Sequence, residues 1–524
     1  MMVLLVPGLE AQGASSVPVV SRVEASVEKP GRSAGASKDR RRRRARSKVA
    51  TRPPPKWTSP RSTAQLVSDI SALLSSRVRR GRWGGIVVSL SRGDTLFAYN
   101  ADGSMTPASN MKLFTAAIAL DQFGPEHQFT TGVLRDGDLT ADGTVDGNLV
   151  LQGDGDPAFS NRFLQGGPGA PVNLLAELVA GSGVRRVRGD LIADAAAFDD
   201  ELIPEGWQTR YLNSSYAARV SALSLNENLV WVSVQPGKAT REPARVSLDP
   251  STIIPVASNV RTRSGSRTAR VTIYTSATGT IEVRGWIGSR AGERRYQLVV
   301  EDPALYTAGA FRRALAERGI VVDGQIIKAR APASAVRIAS LPSPSLDRLL
   351  SVMNRESVNH FAELIFRNAS RTAAFDKPGS AAAGNWLLQR FLTEKVGVAP
   401  GAVFAADGSG LSVLNYATPR SLVQLLGYAS RAPWSDAFHA SLPVAGESET
   451  LRYRMRGSPA EGNLHAKTGT TNSVISLGGY VSAENGELLA FALFYNGTDR
   501  SNARMTIDAV GGTLAAFSRT PGDR

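Results

Sequence analysis

The sequence predicts an α+β fold in which one domain, assembled from both ends of the chain, is interrupted by a long strand-rich insertion. Three observations carry that prediction. Apolar runs at 86–90 and 96–99 flank the turn Arg92-Gly93-Asp94, and matching runs at 464–470, 476–482 and 488–495 lie near the other terminus. Between them, strand-like segments punctuated by Gly and Pro recur from 228 to 300. A chain of 524 residues also exceeds what one hydrophobic core usually supports, so two or three domains are expected.

Composition narrows the class. An apolar share of 42% excludes wholesale disorder, and no stretch reaches the roughly eighteen uninterrupted apolar residues that a membrane helix needs. Residues 1–60 hold 13 Lys/Arg against 4 Asp/Glu, which is nine of the fifteen net positive charges. That arm contains Arg40-Arg41-Arg42-Arg43-Arg44 and Pro53-Pro54-Pro55, too little apolar surface to offset ordering entropy, and reads as a disordered linker. Its charge allows weak contact with anionic wall polymer or a membrane surface, but a solvated tether is the favoured reading. Without an aromatic platform or a known module, nucleic-acid binding is not expected. The opening MMVLLVPGLEAQGA resembles the tail of a secretory leader, though it lacks a basic start and Pro7 ends its apolar run. The absence of Cys is consistent with export. The expected location is therefore extracytoplasmic, in the periplasm or cell envelope, soluble or peripherally attached.

In chain order, a helical pattern at 65–80 runs into Gly84-Gly85, and the first two strands follow. A second helix opens at Thr106, a good N-cap, with Pro107 at the first helical position, where its missing N–H costs nothing. The acidic run 136–146 fails as a calcium loop, since its sixth position is Ala141 and its twelfth Gly147, and reads as hairpin turns. Strands are predicted at 228–234, 269–275, 280–285 and 296–300, and helices at 303–318, 346–369 and 384–395. Asn485-Gly486 joins the last two strands as a hairpin, and a helix at 502–517 closes the chain.

The chemistry is concentrated in three short segments. Ser109-Asn110-Met111-Lys112 places a hydroxyl and an amine three residues apart on one helix face, whereas the same spacing at Ser26 and Lys29 has no scaffold. A serine hydroxyl needs a base, and Lys112 serves only when burial or a second cation keeps it neutral. The Ser109 N–H, in a first turn without intrahelical partners, suits a developing oxyanion. Lys467-Thr468-Gly469, with Thr470 after it, supplies a positive charge, hydroxyls for a carboxylate and room for a close backbone approach. For a third element, S-x-N, there are two candidates. Ser224-Leu225-Asn226 lies in the strand-rich region, while Ser357-Val358-Asn359 sits between helical segments and is preferred. Asn359 would hold a substrate amide while Ser357 relays a proton between Lys112 and the leaving group.

With S-x-x-K, S-x-N and K-T-G in that order, the chain resembles the penicillin-binding serine DD-peptidases. The long interval from Ser109 to Ser357 resembles the low-molecular-mass class C group, the D-alanyl-D-alanine carboxypeptidase/endopeptidases. So do GNLVLQGDGDPAF (147–159), SALSLNENLVWVSVQPG (221–237), MNRESVNHFAELIF (353–366), DGSGLS (407–412) and LPVAGESETL (442–451). Val358 departs from the Asp often found there, at a position without a chemical role. The resemblance implies a β-lactamase/transpeptidase-like catalytic domain: a five-stranded antiparallel sheet with helices on both faces, over 62–165 and 340–518. The inserted β-rich region then covers 166–339, the leader remnant and linker 1–60, and a C-terminal tail 519–524.

It further implies acyl transfer from peptidoglycan stem peptides to Ser109, with hydrolysis by water and inhibition by β-lactams. Ser109 and Thr470 amides would form the oxyanion hole, Lys467, Thr468 and Thr470 would bind the carboxylate next to the scissile bond, and Gly469 would let the substrate backbone approach. No cofactor or metal is implied. Asp156 and Phe159 would line a side-chain subsite, and Asp407 and Ser409 an active-site loop, although each pair reads almost as well as turn and core. His465 reads as a packed or solvated residue. Two other functions compete: a β-lactamase or esterase-like hydrolase on the same scaffold, and a non-catalytic peptidoglycan-binding protein. The first lacks an E-x-x-x-N after Ser357, since Glu394 is followed by Val398 at that spacing, and the second leaves an intact catalytic set unexplained.

Overall fold

A computed structural model of the protein describes residues 55–78, 80–373, 377–520 and 522. The leader-like segment and the basic arm up to residue 54 lie outside them. The arm's described end, 55–60, makes specific contacts with the far end of the chain. Thr58 donates its N–H to Thr513 Oγ1 at 3.0 Å, and the Pro60 carbonyl accepts from Ser518 at 3.1 Å, so the end of the predicted linker is docked on the closing helix.

Strands from both chain ends form one antiparallel sheet. β1 (Arg82–Ser89) and β2 (Thr95–Tyr99) come from the first end, and β3 (His465–Thr470), β4 (Val474–Ser482) and β5 (Leu488–Asn496) from the second. Their order is β3-β4-β5-β1-β2, with Ile86 opposite Ala492 and Lys467 opposite Gly478. The strands read as continuous apolar runs because both faces are covered. On β5, Ala490, Ala492 and Phe494 join one core cluster, and Leu489, Phe491, Leu493 and Tyr495 the other. The second cluster packs α1 (Thr63–Arg77) and the closing helix Arg500–Ala515, and the first packs α2 (Met111–Phe123) with its neighbours. Gly84 and Gly85, expected to precede the strand, lie inside β1. A Cβ on Gly84 would meet Met105 Sδ at 2.5 Å and one on Gly85 would meet Leu493 at 2.9 Å, so these glycines admit neighbours instead of breaking the strand.

The described chain divides into two compact units. Val232–Ser247 and Ile254–Tyr296 make the smaller, in which Ala269–Thr275 pairs antiparallel and Val256–Arg263 parallel with Ile281–Gly288. The rest forms the larger unit, which holds the antiparallel sheet and a mixed seven-stranded sheet. The hairpin Thr130–Leu139/Thr144–Gly153 is central to the mixed sheet and accounts for the acidic run. The helical pattern predicted over 346–369 is two helices, Leu346–Arg355 and α3 (Asn359–Ala373), broken at Ser357, whose φ is +62°.

Arg519, placed by the sequence in a tail, is fully buried and clamps two hairpin turns. It bonds Asp94, between β1 and β2, at 2.6 and 2.8 Å, and Glu487, between β4 and β5, at 2.6 Å. Arg519→Ala would leave the Glu487 carboxylate, only 3% exposed, with the longer contact to Arg92 at 3.6 Å. The expected loss is about 3 kcal/mol in urea denaturation, partly recovered in R519A/E487Q, which removes the buried charge.

Candidate active site

Every residue of α2 from Met111 to Leu120 is buried, so the helix axis runs through the core and Lys112 has no route to bulk solvent. The helix does not start as expected. Thr106 is no N-cap: its N–H donates to Asn496 Oδ1 at 2.9 Å, and a 3₁₀ turn, Ala108–Asn110, carries Ser109 into α2. Ala108 has φ +48°, a left-handed conformation rare outside glycine. Gly410 presses on that turn, where an added Cβ would lie 1.9 Å from the Ala108 carbonyl. Two sterically tight segments thus fix where Ser109 points.

Lys112 Nζ has three neighbours: Ser109 Oγ at 3.2 Å, Asn359 Oδ1 at 2.6 Å and the Ser409 carbonyl at 2.7 Å. Burial lowers its pKa to about 7, against the opposing pull of Asp407 and Glu363. A neutral amine has two N–H donors and one lone pair. Two of the neighbours are carbonyl oxygens that can only accept, so the lone pair is left for the Ser109 hydroxyl. The geometry places a hydrogen-bond acceptor on that hydroxyl.

Across the site, Lys467 Nζ donates to Ser357 Oγ at 2.9 Å and to the Thr468 carbonyl at 2.9 Å. Burial holds this amine well below its usual range, and the Lys112 charge lowers it further. Ser357 is therefore bonded to Lys467 and not to Lys112, which differs from the expected relay. Asn359 bridges inward to Lys112 and outward, through Nδ2, to the Tyr216 carbonyl at 2.8 Å, leaving one N–H and one lone pair open. β3 is an edge strand. Its outer side is taken at its start, where Val444 bridges His465 and Ala466 donates to Pro443, while no other described strand covers Lys467–Thr470. Thr470 is exposed there and Thr468 nearly buried. The room that glycine gives at 469 is used by the protein itself, since a Cβ would meet Ser476 Oγ at 2.1 Å and the Pro107 carbonyl at 2.8 Å. The strand thereby lies directly against the Ser109 turn.

The remaining predicted residues lie further from this cluster in role. Asp407 is fully buried and accepts from Gly410 N, Ser412 N, Asn415 Nδ2 and Trp207 Nε1, so its carboxylate organises the 407–412 loop. Ser409 contributes its carbonyl, its hydroxyl accepting from Leu411 N. Asp156 is 4% exposed and accepts from Ala158 N at 2.7 Å, and burial raises its pKa to about 7. Phe159 is buried too, and no hydrogen bond joins either residue to the lysines. His465 stacks on His439 at 4.4 Å, and burial lowers its pKa to about 4.

Sequence reasoning missed Glu363. It lies one turn after Asn359 on α3, is fully buried, and accepts from Ser409 N at 2.9 Å and Gly408 N at 3.3 Å. Burial and the Asp407 charge raise its pKa to about 8. The available signal was an acid within the apolar stretch HFAELIF. Tyr216, reached through its backbone, left no signal.

The profile of the family described as D-Ala-D-Ala carboxypeptidase 3 (S13) matches residues 66–517. A D-alanyl-D-alanine carboxypeptidase of Actinomadura sp. (strain R39) is 35% identical over 87% of this chain and 85% of its own length. The D-alanyl-D-alanine carboxypeptidase DacB of Haemophilus influenzae is 26% identical over 79% of this chain and 85% of its own. The crystal structure of penicillin binding protein 4 (dacB) from Haemophilus influenzae superposes with a TM-score of 0.73 at 24% identity, covering 85% of this chain and 99% of that one. A second structure of that protein, complexed with a β-lactam, gives 0.67 at 24% identity, covering 83% and 97%. The fold is thus the α+β, β-lactamase/transpeptidase-like one that the sequence predicted.

Burial of Lys112 has a thermodynamic signature. Its pKa is about 7 when folded against 10.5 for a solvated lysine, so between those values the unfolded chain binds more protons and stability rises with pH. Below about pH 7 the whole penalty remains. Lys112→Met removes this slope, at most about 1.4 kcal/mol per pH unit. The stability difference between variant and wild type should therefore shift steadily in favour of the wild type from pH 7 to pH 10 in denaturant titrations.

Proposed function

The chain belongs to the D-Ala-D-Ala carboxypeptidase 3 (S13) family and is a serine-type D-alanyl-D-alanine carboxypeptidase, and we propose that it works through an acyl-enzyme on Ser109. The observation that carries this reading is the Lys112 amine, buried, lowered to about 7, and 3.2 Å from the Ser109 hydroxyl. Ser109 Oγ attacks the carbonyl of the penultimate D-alanine of a peptidoglycan stem peptide, giving its proton to Lys112. The amides of Ser109 and Thr470 receive the oxyanion, a role favoured by the contact between β3 and the Ser109 turn. The C–N bond then breaks, and the leaving amine takes a proton from the Ser357 hydroxyl, which Lys467 replenishes across 2.9 Å. The proton on Lys112 passes through water in the cleft to recharge Lys467, and the neutral Lys112 then takes a proton from the water that attacks the ester and returns it to Ser109 Oγ as the acid leaves.

Lys467, Thr468 and Thr470 bind the terminal carboxylate, and the open edge of β3 accepts the extended peptide as an added strand. A carboxylate beside Lys467 raises its pKa and restores its charge, and that charge in turn keeps Lys112 neutral. Asn359 offers its free N–H and lone pair to the peptide amide on the acyl side. Asp407, Ser409 and Glu363 act by holding Lys112 and the Ser109 turn. Hydrolysis of D-alanine cross-links, an endopeptidase activity, follows from the same chemistry where the leaving amine belongs to a second peptide. The proposed wall substrate favours a location outside the cytoplasmic membrane, and no helix among the described residues is long and apolar enough to cross a membrane. β-Lactam inhibition is supported by the β-lactam complex of the Haemophilus influenzae protein.

A fluorescent penicillin should label the protein covalently, and Ser109→Ala should abolish the label while retaining the wild-type melting transition. The acylation rate should rise with pH through about 7 as Lys112 loses its proton, and Lys112→Arg should acylate roughly a hundredfold or more slowly. Rapid turnover of the penicillin adduct would favour a β-lactamase instead. Mass analysis of digested muropeptides separates release of D-alanine from cleavage of cross-links.

A further inference from the structure

The helices that carry the reacting groups lead to a second cleft at their far ends. α2 runs from Lys112 to Phe123 and α3 from Asn359 to Arg371, so at 1.5 Å per residue the far ends are about 16–18 Å from the nucleophile. There a cavity of about 710 Å³ opens between these helix ends and the mixed sheet. Four cations line it, Arg330, Arg337, Arg371 and Lys377, against two acids, Asp154 and Asp194.

The acids do not balance the cations. Asp154 is paired with Arg371. Asp194 is 3% exposed and turned to neutral groups, accepting from Ala196 N at 2.9 Å, Gln152 Nε2 at 3.0 Å and Ala331 N at 3.0 Å. Arg337 meets only the neutral Gln152 Oε1, at 3.0 Å, and no hydrogen bond or ion pair among the described residues reaches Arg330 or Lys377. Three exposed cations therefore face one cavity without a carboxylate partner. Its floor carries Phe123 stacked on His127 at 4.4 Å, a flat surface suited to a peptide or sugar ring. Solvated arginines on a sheet edge are common, but they are not usually grouped around a concave space with their neighbouring acids already engaged.

We propose that this cleft is an exosite for the free carboxylates of a second stem peptide, so that the enzyme grips polymeric peptidoglycan at two points. The inference rests on the reading that peptidoglycan is the substrate. The mixed lining favours that occupant: three open cations suit the several carboxylates of a stem peptide, and the Phe123–His127 face suits the apolar chain between them, a surface that a polyphosphate would not use.

The test compares full-length wild type with R330E/K377E and R330A/K377A, both pairs of side chains being exposed and free of buried contacts. On a short synthetic peptide ending in D-Ala-D-Ala all three proteins should turn over alike. On purified sacculi, release of D-alanine and cosedimentation should fall about fivefold for charge reversal and less for the alanine pair, as expected for screened surface charges. Amidation of the sacculus carboxylates should remove the wild type's advantage, and stripping phosphodiester polymers from the wall should leave it intact. Equal action of wild type and R330E/K377E on sacculi, or dependence on the phosphodiester polymers alone, overturns the exosite. Failure of the wild type on the short peptide would count instead against the catalytic reading of Ser109.

Discussion

Two lysine amines share one buried site, and the low dielectric around them does not tolerate two charges. Each is 0% exposed, and the charge on Lys112 pushes Lys467 down. A buried ammonium that no carboxylate touches directly is so costly that burial outweighs the pull of Asp407 and Glu363 on Lys112 and favours release of the proton. Solvent could relieve that constraint, and the fold prevents it. α2 is buried on all sides from Met111 to Leu120, and Phe361, Ala362, Ile365 and Phe366 of α3 pack in the same core cluster as its apolar residues. The reactivity proposed for Ser109 thus depends on ordinary hydrophobic packing around an amine that gains nothing from being there.

Packing alone would leave the hydroxyl free to rotate away, and the backbone limits that freedom. Ala108 and Ser357 both adopt left-handed conformations, each costing on the order of 1–3 kcal/mol, and both stand beside a reacting group. The surroundings hold them there. Asn110 Nδ2 donates to Ser476 Oγ at 2.7 Å, and Ser476 donates to the Pro107 carbonyl at 2.7 Å, tying the turn before α2 to β4. Glu363 holds the amides of the loop whose carbonyl meets Lys112, so α2, α3 and the 407–412 loop lock one another.

Much of this was legible in the sequence, for physical reasons. β4 and β5 are apolar on both faces and β1 and β2 are short and β-branched or aromatic, so the strands announced themselves. Ser109 and Lys112 share a helix face by spacing alone, and Ser357–Asn359 matched S-x-N, although the break at Ser357 inside the pattern predicted over 346–369 came only with the structure. Other features depend on three-dimensional approach and leave little local trace. Gly84 and Gly85 looked like a strand boundary because a glycine pair does not reveal whether it marks a turn or admits Met105 and Leu493. Pro107 fits a first helical turn as well as the 3₁₀ turn it enters. Arg519 resembled tail residues until Asp94 and Glu487 were seen to converge on it from opposite ends of the chain. The bond from Ser357 to Lys467 and not to Lys112 turns on side-chain directions that no motif encodes.

That last difference changes what the two serines are suited to do. Ser109 faces an amine whose N–H groups are committed to Asn359 and Ser409, so the amine serves it as an acceptor. Ser357 faces an amine that donates to it, on the strand whose open edge suits a peptide terminus. In the proposed reaction the carboxylate supplies what the described residues around Lys467 do not, a counter-charge that makes the ammonium stable, and the proton Ser357 needs is then present only when a proper substrate is bound. A peptide without that carboxylate would reach the same nucleophile but leave Lys467 short of its proton. Selection for a free carboxyl end would then arise less from shape than from the charge state of one buried amine, consistent with binding energy being expressed at the transition state.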